Sequence, residues 1–174
     1  MTADAQSLLN QHAVLCVATT RPDGWPQATM VCYVNEGLVV YFLVSRSSQK
    51  FANLARDPRA SLAIGQDAAE PAQIKGLSMA AEVLEVRDEP YRSRVLARLN
   101  GRHPKYFSAT DVDPAGSALM RALPRVISVV DFSKGLGHTD LLSVGAGQLA
   151  EDTAATPDNW GFNPAPDGRA PPAR

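Results

Sequence analysis

The 174-residue chain is short of charge imbalance, of cysteine, of histidine and of long apolar runs. Acidic and basic residues nearly cancel, to a formal net charge of -1 at pH 7, so no overall basic field is available to hold nucleic acid or an anionic membrane. Any anion site must be local. The two cysteines, Cys16 and Cys32, lie in apolar, strand-like runs without the Cys/His spacing of a zinc site, which predicts buried, reduced thiols and no metal. No run approaches membrane-spanning length, and the opening MTADAQSLLNQH lacks a basic region followed by an apolar one. The expectation is a soluble, cytoplasmic protein, with one domain large enough to bury a real core.

Familiar catalytic signatures are missing as well. Neither GxxxxGK(S/T) nor GxGxxG occurs, so a nucleoside-triphosphate enzyme or a dinucleotide fold has no support. HExxH, GxSxG and a paired-carboxylate arrangement are equally absent, which removes the common hydrolase readings. Of the three histidines, His12 is read as the polar end of a helix and His103 stands alone. His138, followed by Thr139-Asp140 in a Gly-rich stretch, is the one candidate for acid–base work, because an imidazole titrates near neutrality. A structural or solvent-exposed histidine fits the same pattern.

What the chain does contain is a succession of short strands. Residues 3–12 carry Ala5, Leu8 and Leu9 at helical spacing, with Thr2 or Asp4 able to cap. The runs 13–20 and 27–34 flank RPDGWP and read as a hairpin; Asn35-Glu36-Gly37 then turns the chain into a third strand, 38–45. A helix from Ser47 or Ser48 to about Arg56 follows, stopped by Asp57-Pro58. Strands are expected at 60–65 and 74–88, with Gly76 a bulge or close-approach point. A helix runs from about Asp88 to Asn100-Gly101, a short one over 118–123, and the last strand covers 125–132. Hairpin connections without a regular strand–helix alternation favour an antiparallel β-barrel with peripheral helices over a doubly wound sheet. Residues 1–148 form this domain. Residues 149–174, rich in Pro and Gly, form a tail expected to be mobile unless Trp160 and Phe162 dock on a partner subunit. Trp25, in a turn, suits stacking on a planar ligand, an interface or simple hairpin-tip packing.

One stretch draws chemistry together. The apolar strand GLVVYFLVS empties into Arg46-Ser47-Ser48-Gln49-Lys50 at a helix start, where free backbone N–H groups and positive charge converge. A phosphate needs several charge-assisted donors at once to replace its hydration shell. A capped surface helix with solvated basic side chains would use the same residues, and the stretch alone does not choose between the two.

The sequence ATTRPDGWPQATMVCYVNEGLVVYFLVSRSSQKFANLARDPRASLAIG, followed by the strand ending MAAEVLEV, resembles the pyridoxamine 5′-phosphate oxidase-like FMN-binding split-barrel family. The specific part is the run from Ser48 and Lys50 through Asn53-Leu54 to Asp57-Pro58-Arg59. The resemblance implies a mainly β fold with peripheral helices, a six-stranded antiparallel Greek-key split barrel, in a homodimer with FMN in the cleft between subunits. By the same resemblance Ser48, Gln49 and Lys50 fall at the FMN phosphate, Val44 and Ser45 beside the ribityl chain and flavin, and Ala28, Thr29, Met30 and Val31 along the ring. Gln73 and Lys75 fall near a flavin-contacting amide. The departures are informative: the family's vitamin B6 enzymes carry a phosphate-binding Arg where this chain has Ala28 and a substrate-phosphate Lys where it has Tyr33, and their Arg-Leu-His-Asp-Arg motif is missing. The resemblance therefore implies an FMN-dependent oxidoreductase taking hydride or electrons between a donor such as NAD(P)H and a small molecule, but not the vitamin B6 oxidase. An F420-dependent reductase on the same fold, a non-catalytic flavin- or haem-binding module and a dimer without ligand are the alternatives.

Overall fold

The computed structural model describes residues 2–65, 68–105, 113, 115–145 and 148–150. Three helices surround one antiparallel sheet: α1 (Thr2–Gln11), α2 (Gln49–Arg56) and α3 (Glu89–Arg102). The strands are β1 (Val14–Thr20), β2 (Pro26–Glu36), β3 (Val39–Ser45), β4 (Arg59–Gly65), β5 (Lys75–Glu85), β6 (Ser117–Asp131), β7 (Thr139–Gly145) and β8 (Gln148–Ala150). Their order is β3-β2-β1-β4-β5-β6-β7-β8, and β3 also pairs with β6, so the first six strands close into a barrel. The fold is the expected six-stranded antiparallel barrel.

Alternation of side chains explains most of the strands. β4 reads exposed and buried by turns along RASLAIG, with Ala60, Leu62 and Ile64 pointing inward. β1 does the same with Leu15, Val17 and Thr19. Inward residues from all six barrel strands form one core with Leu8, Leu9 and Ala5 of α1. A second, outer core lies under α3, where Val95 and Leu99 pack on Val34, Tyr41 and Leu119. At the turn between β2 and β3, Gly37 has φ +60, a conformation glycine adopts without steric cost.

One element is a correction. Residues 118–123 do not form a short helix: they are the first half of β6, paired with β3 over 117–122 and with β5 along its length. Ala118, Leu119, Met120 and Ala122 are all buried because the strand is covered on both faces, which erases the period-two signal. Pro124 lies opposite Ala81 and Val126 opposite Ala80, so Arg125 is the extra residue of a bulge. A proline is tolerated at such a break in the ladder. After β6, the Gly-rich connection carries β7 and the start of β8, which extend the sheet beyond the barrel.

Both thiols were expected inside, yet Cys16 and Cys32 are free and half-buried. They occupy outward positions, Cys16 opposite Met30 and Cys32 opposite Val14. Gly76 is a point of close approach, since a Cβ there would stand 3.0 Å from the Ile64 carbonyl oxygen. Residues 151–174, including Trp160 and Phe162, lie outside the described residues. No helix of the described chain is long and apolar enough to cross a membrane.

Candidate functional site

The turn from β3 into α2 is built by its own serines. Ser48 caps α2: its Oγ accepts from Phe51 N at 3.2 Å and donates to Ser45 O at 2.6 Å. Ser45 Oγ and Ser47 Oγ hydrogen-bond each other at 2.8 Å, and Ser48 N donates to Ser45 O at 3.0 Å. The hydroxyls that sequence reading counted as phosphate donors are therefore largely spent on the loop. The backbone N–H groups of Gln49 and Lys50, at the first turn, have no intrahelical acceptor. Ala52 N is taken by Ser48 O at 3.2 Å.

Below this helix start runs an open groove of about 440 Å³, lined by Gln27 and residues 29–32 of β2, residues 43–45 of β3 and Ser48, Gln49 and Lys50. It brings together Thr29, Met30, Val31, Val44, Ser45, Ser48, Gln49 and Lys50, eight of the positions singled out from sequence. Ala28 is not in the lining; it faces outward opposite Ala18. Gln73 closes a single helical turn (Pro71–Gln73) and Lys75 begins β5, where its Nζ lies 3.3 Å from Asp131 Oδ2. Neither lines the groove within one chain.

Two features of the groove bear on what it could hold. Lys50 is half-buried and, among the described residues, has no carboxylate partner. Burial pushes its ammonium below the usual lysine range, partly offset by the neighbouring Cys16 sulfur. Thr29 Oγ1 is buried without a hydrogen-bond partner among the described residues, a cost a native fold ordinarily avoids. A ligand carrying an acceptor and a phosphate would satisfy both. These residues fit the phosphate and ribityl chain of FMN.

Arg46, which the sequence placed beside the anion site, is turned away. Its guanidinium hydrogen-bonds Glu85 Oε1 and sits 5.4 Å from the Phe51 ring centroid. Glu85 is held below the usual carboxylate range chiefly by that hydrogen bond. The signal for this pairing was invisible in sequence, because the partners are 39 residues apart.

Asn53, the amide within the Lys50-to-Pro58 run, proves to be the anchor of α2. It is fully buried. Its Nδ2 donates to Thr19 Oγ1 at 3.0 Å and Gln27 Oε1 at 3.1 Å, while its Oδ1 accepts from Gln49 Nε2 at 2.8 Å. The helix start is thereby tied to the two strands beneath it.

His138 does not line the groove. Its Nε2 is 3.0 Å from Asp140 Oδ1, and Asp140 Oδ2 accepts from Lys134 Nζ at 2.6 Å. His103 is buried against Tyr33 O at 2.8 Å, a structural contact. Among the described residues, no group of three His, Cys, Asp or Glu side chains could hold a metal ion.

A family model described as pyridoxamine 5′-phosphate oxidase matches residues 1–131. The chain belongs to that family. No curated protein matches it by sequence. Among solved structures similar to this member of the family, a conserved hypothetical protein from Mycobacterium tuberculosis is 25% identical with a TM-score of 0.67, over 83% of this chain and 91% of that one. A heme binding protein from Mycobacterium smegmatis is 26% identical with a TM-score of 0.65; the match covers 82% of this chain and 58% of the other. An F420 reductase is 24% identical with a TM-score of 0.59, over 71% and 94% of the two chains, a likeness of fold. The family and fold expected from the sequence thus hold, and they come with more than one type of ligand.

Proposed function

We propose that the protein is a homodimeric FMN-binding flavoprotein acting as an oxidoreductase on a small molecule. The observation that carries this reading is the unpaired Lys50 at the start of α2, above a groove whose Thr29 hydroxyl is also without a partner. Lys50 Nζ and the amides of Gln49 and Lys50 hold the phosphate; the main chain of residues 29–31 runs along the ring. FMN, when bound, supplies the hydride and electron chemistry. The protein's part is orientation, charge and exclusion of water.

A second copy closes the groove. The outward face of the sheet beside it carries Met30, Cys16, Ala63 and Ser78 in one row. Ala28, Ala18, Ser61, Ala80 and Val126 make the next. These nine residues are uncharged and mostly small, which suits a close contact between two sheets. Gln73 and Lys75 then reach the cofactor from the other subunit. The vitamin B6 oxidase reading is weakened further by Tyr33, which stands where those enzymes have a lysine: it is fully buried and donates to Leu9 O at 2.7 Å.

One observation favours a non-catalytic binding module as the second reading. Among the described residues the groove lining contains no carboxylate and no imidazole, so acid–base work on a substrate would fall to Cys32 or Lys50 alone.

A visible spectrum of the purified protein, before and after addition of FMN and desalting, tests the proposal. Retained flavin bands near about 375 and 450 nm are expected. A colourless protein that refuses added FMN would sink the reading. Anaerobic NADH or NADPH separates the two forms of it: rapid bleaching of bound flavin marks the oxidoreductase, a stable yellow protein the binding module.

A further inference from the structure

We infer that Glu85 is a specificity-determining residue of the groove: by engaging Arg46 it leaves Lys50 as the one free cation among the described lining residues of the chain, and so favours ligands bearing a single phosphate. The inference rests on the phosphate-binding reading above and concerns which phosphate ligand is accepted.

The geometry is compact. Arg46 directly follows Ser45, a lining residue, and its backbone N donates to Gly116 O at 2.9 Å, so the residue is fixed at the groove's rim. Its guanidinium stacks 5.4 Å from the ring of Phe51, the third residue of α2. That places it beside the first turn of α2, which also carries the lining residues Gln49 and Lys50. It is nevertheless occupied: Glu85, at the end of β5, accepts its Nη2 hydrogen bond, and Arg87 Nε lies 3.3 Å from the other Glu85 oxygen. Glu85 is also well packed, its side chain 14% exposed, whereas that of Arg46 is 38% exposed. The carboxylate is therefore the fixed partner and the arginine the one able to move.

A guanidinium one side-chain swing from an anion site, held off it by a carboxylate, sets the charge the site can balance. With Arg46 engaged, Lys50 and the helix start match one phosphate monoester. A second phosphate or a string of carboxylates, as in a dinucleotide or a deazaflavin with an acidic tail, finds no further cation among the described lining residues of the chain. Releasing Arg46 adds a bidentate donor suited to phosphate.

The test is isothermal titration of FMN, riboflavin, inorganic phosphate and pyrophosphate into the wild type and the variants Glu85→Gln, Arg46→Gln and the double variant. Glu85→Gln should tighten FMN about tenfold, the scale of one added charge-assisted contact at a partly exposed site. It should also shift the site from near-equal affinity for the two inorganic anions to a preference of about tenfold for pyrophosphate. Riboflavin, which lacks the phosphate, should bind unchanged. The double variant should return to wild-type affinities, and Arg46→Gln alone should stay within about twofold of wild type. Should Glu85→Gln fail to fold, Glu85→Ala carries the same expectation. Unchanged affinity in the Glu85 variants overturns the inference, as does a gain that survives in the double variant. A large loss in Arg46→Gln overturns it too, by showing that Arg46 already serves the ligand. A wild type that binds riboflavin and FMN equally overturns the phosphate reading itself, a distinct result.

Discussion

Asn53 donates its Nδ2 to Thr19 Oγ1 at 3.0 Å, joining the middle of α2 to the end of β1 inside the protein. Both residues are buried, and Gln27 and Gln49 complete the set around the amide. Asn53→Ala removes donor and acceptor at once and leaves its partners without replacements. Loss of about 1–3 kcal/mol of stability is expected, the cost of orphaned buried polar groups. FMN affinity should fall with it, since the same contacts hold the helix start over the groove. Urea unfolding and flavin titration measure the two effects, and a fall in stability without a fall in affinity would show that α2 keeps its place by other contacts.

Lys50 is expected to trade stability for binding. Burial lowers its folded pKa below that of the unfolded chain. The folded state therefore binds fewer protons between the two values, and stability rises with pH across that window. Below it, at neutral pH, the half-buried ammonium is a net cost in the absence of ligand. Lys50→Met should raise the melting temperature of the ligand-free protein by about 2 °C or more. It should weaken FMN by roughly 1–3 kcal/mol while sparing riboflavin. A Lys50→Met protein that melts lower than wild type would contradict this account.

The barrel was legible because strands such as β1 and β4 alternate cleanly and the first hairpins are punctuated by Asp-Gly and Asn-Glu-Gly turns. The turn from β3 into α2 was legible for a similar reason: Ser45 to Lys50 are local in sequence, and a helix start has fixed chemistry. What escaped depends on partners far apart in the chain. Residues 118–123 spell a helix only until Ala118, Met120 and Ala122 are seen to face the barrel core and Leu119 the second core under α3. Pro124 then disguised one strand as two elements, since the bulge that accommodates it lies in the pairing with β5. Arg46 reads as a phosphate ligand until Glu85 appears beside it; Ser48, one of the two serines expected to cap α2, does cap it, with the hydroxyl that also counted as a phosphate donor. Asn100-Gly101 looked like a helix stop, yet α3 continues to Arg102, whose side chain is held by α1 and β2.

Asp57 ends α2 and forms a fork with Arg59: Oδ1 accepts from Arg59 N at 3.1 Å and Nε at 2.9 Å, and Oδ2 from Nη2 at 2.7 Å. These hydrogen bonds, the side-chain ones foremost, bring its pKa from 3.8 down to about 2. A depressed carboxylate contributes stability that is present above the unfolded value and lost as pH falls through the folded one. The melting temperatures of wild type and Asp57→Asn should therefore differ by a constant amount above about pH 5 and converge between pH 4 and 2. A gap that persists at pH 2 would mean that the asparagine disturbs the turn for another reason.

Arg102 clamps the C-terminal end of α1. Its Nη2 donates to Leu9 O and Asn10 O, each at 3.0 Å, and to His12 O, while Nη1 donates to Asn35 Oδ1 at 3.0 Å. The guanidinium also lies 5.0 Å from the Tyr33 ring centroid. Tyr33 donates to the same Leu9 carbonyl, and burial has pushed its hydroxyl up to about 12. Carbonyls at a helix end need donors, and one planar group here serves three of them together with an amide oxygen from β2. Lysine cannot copy this, since a single ammonium lacks the forked geometry. Arg102→Lys and Arg102→Ala should both lose about 2 kcal/mol or more, with amide exchange accelerating first in α1 and at the end of α3. The groove is lined by the earlier part of β2, between Gln27 and Cys32, with the end of β3 and the start of α2, so flavin affinity should hold at temperatures where both variants remain folded. Protection of α1 that survives in Arg102→Ala would place the helix under the control of its buried Leu8 and Leu9 instead.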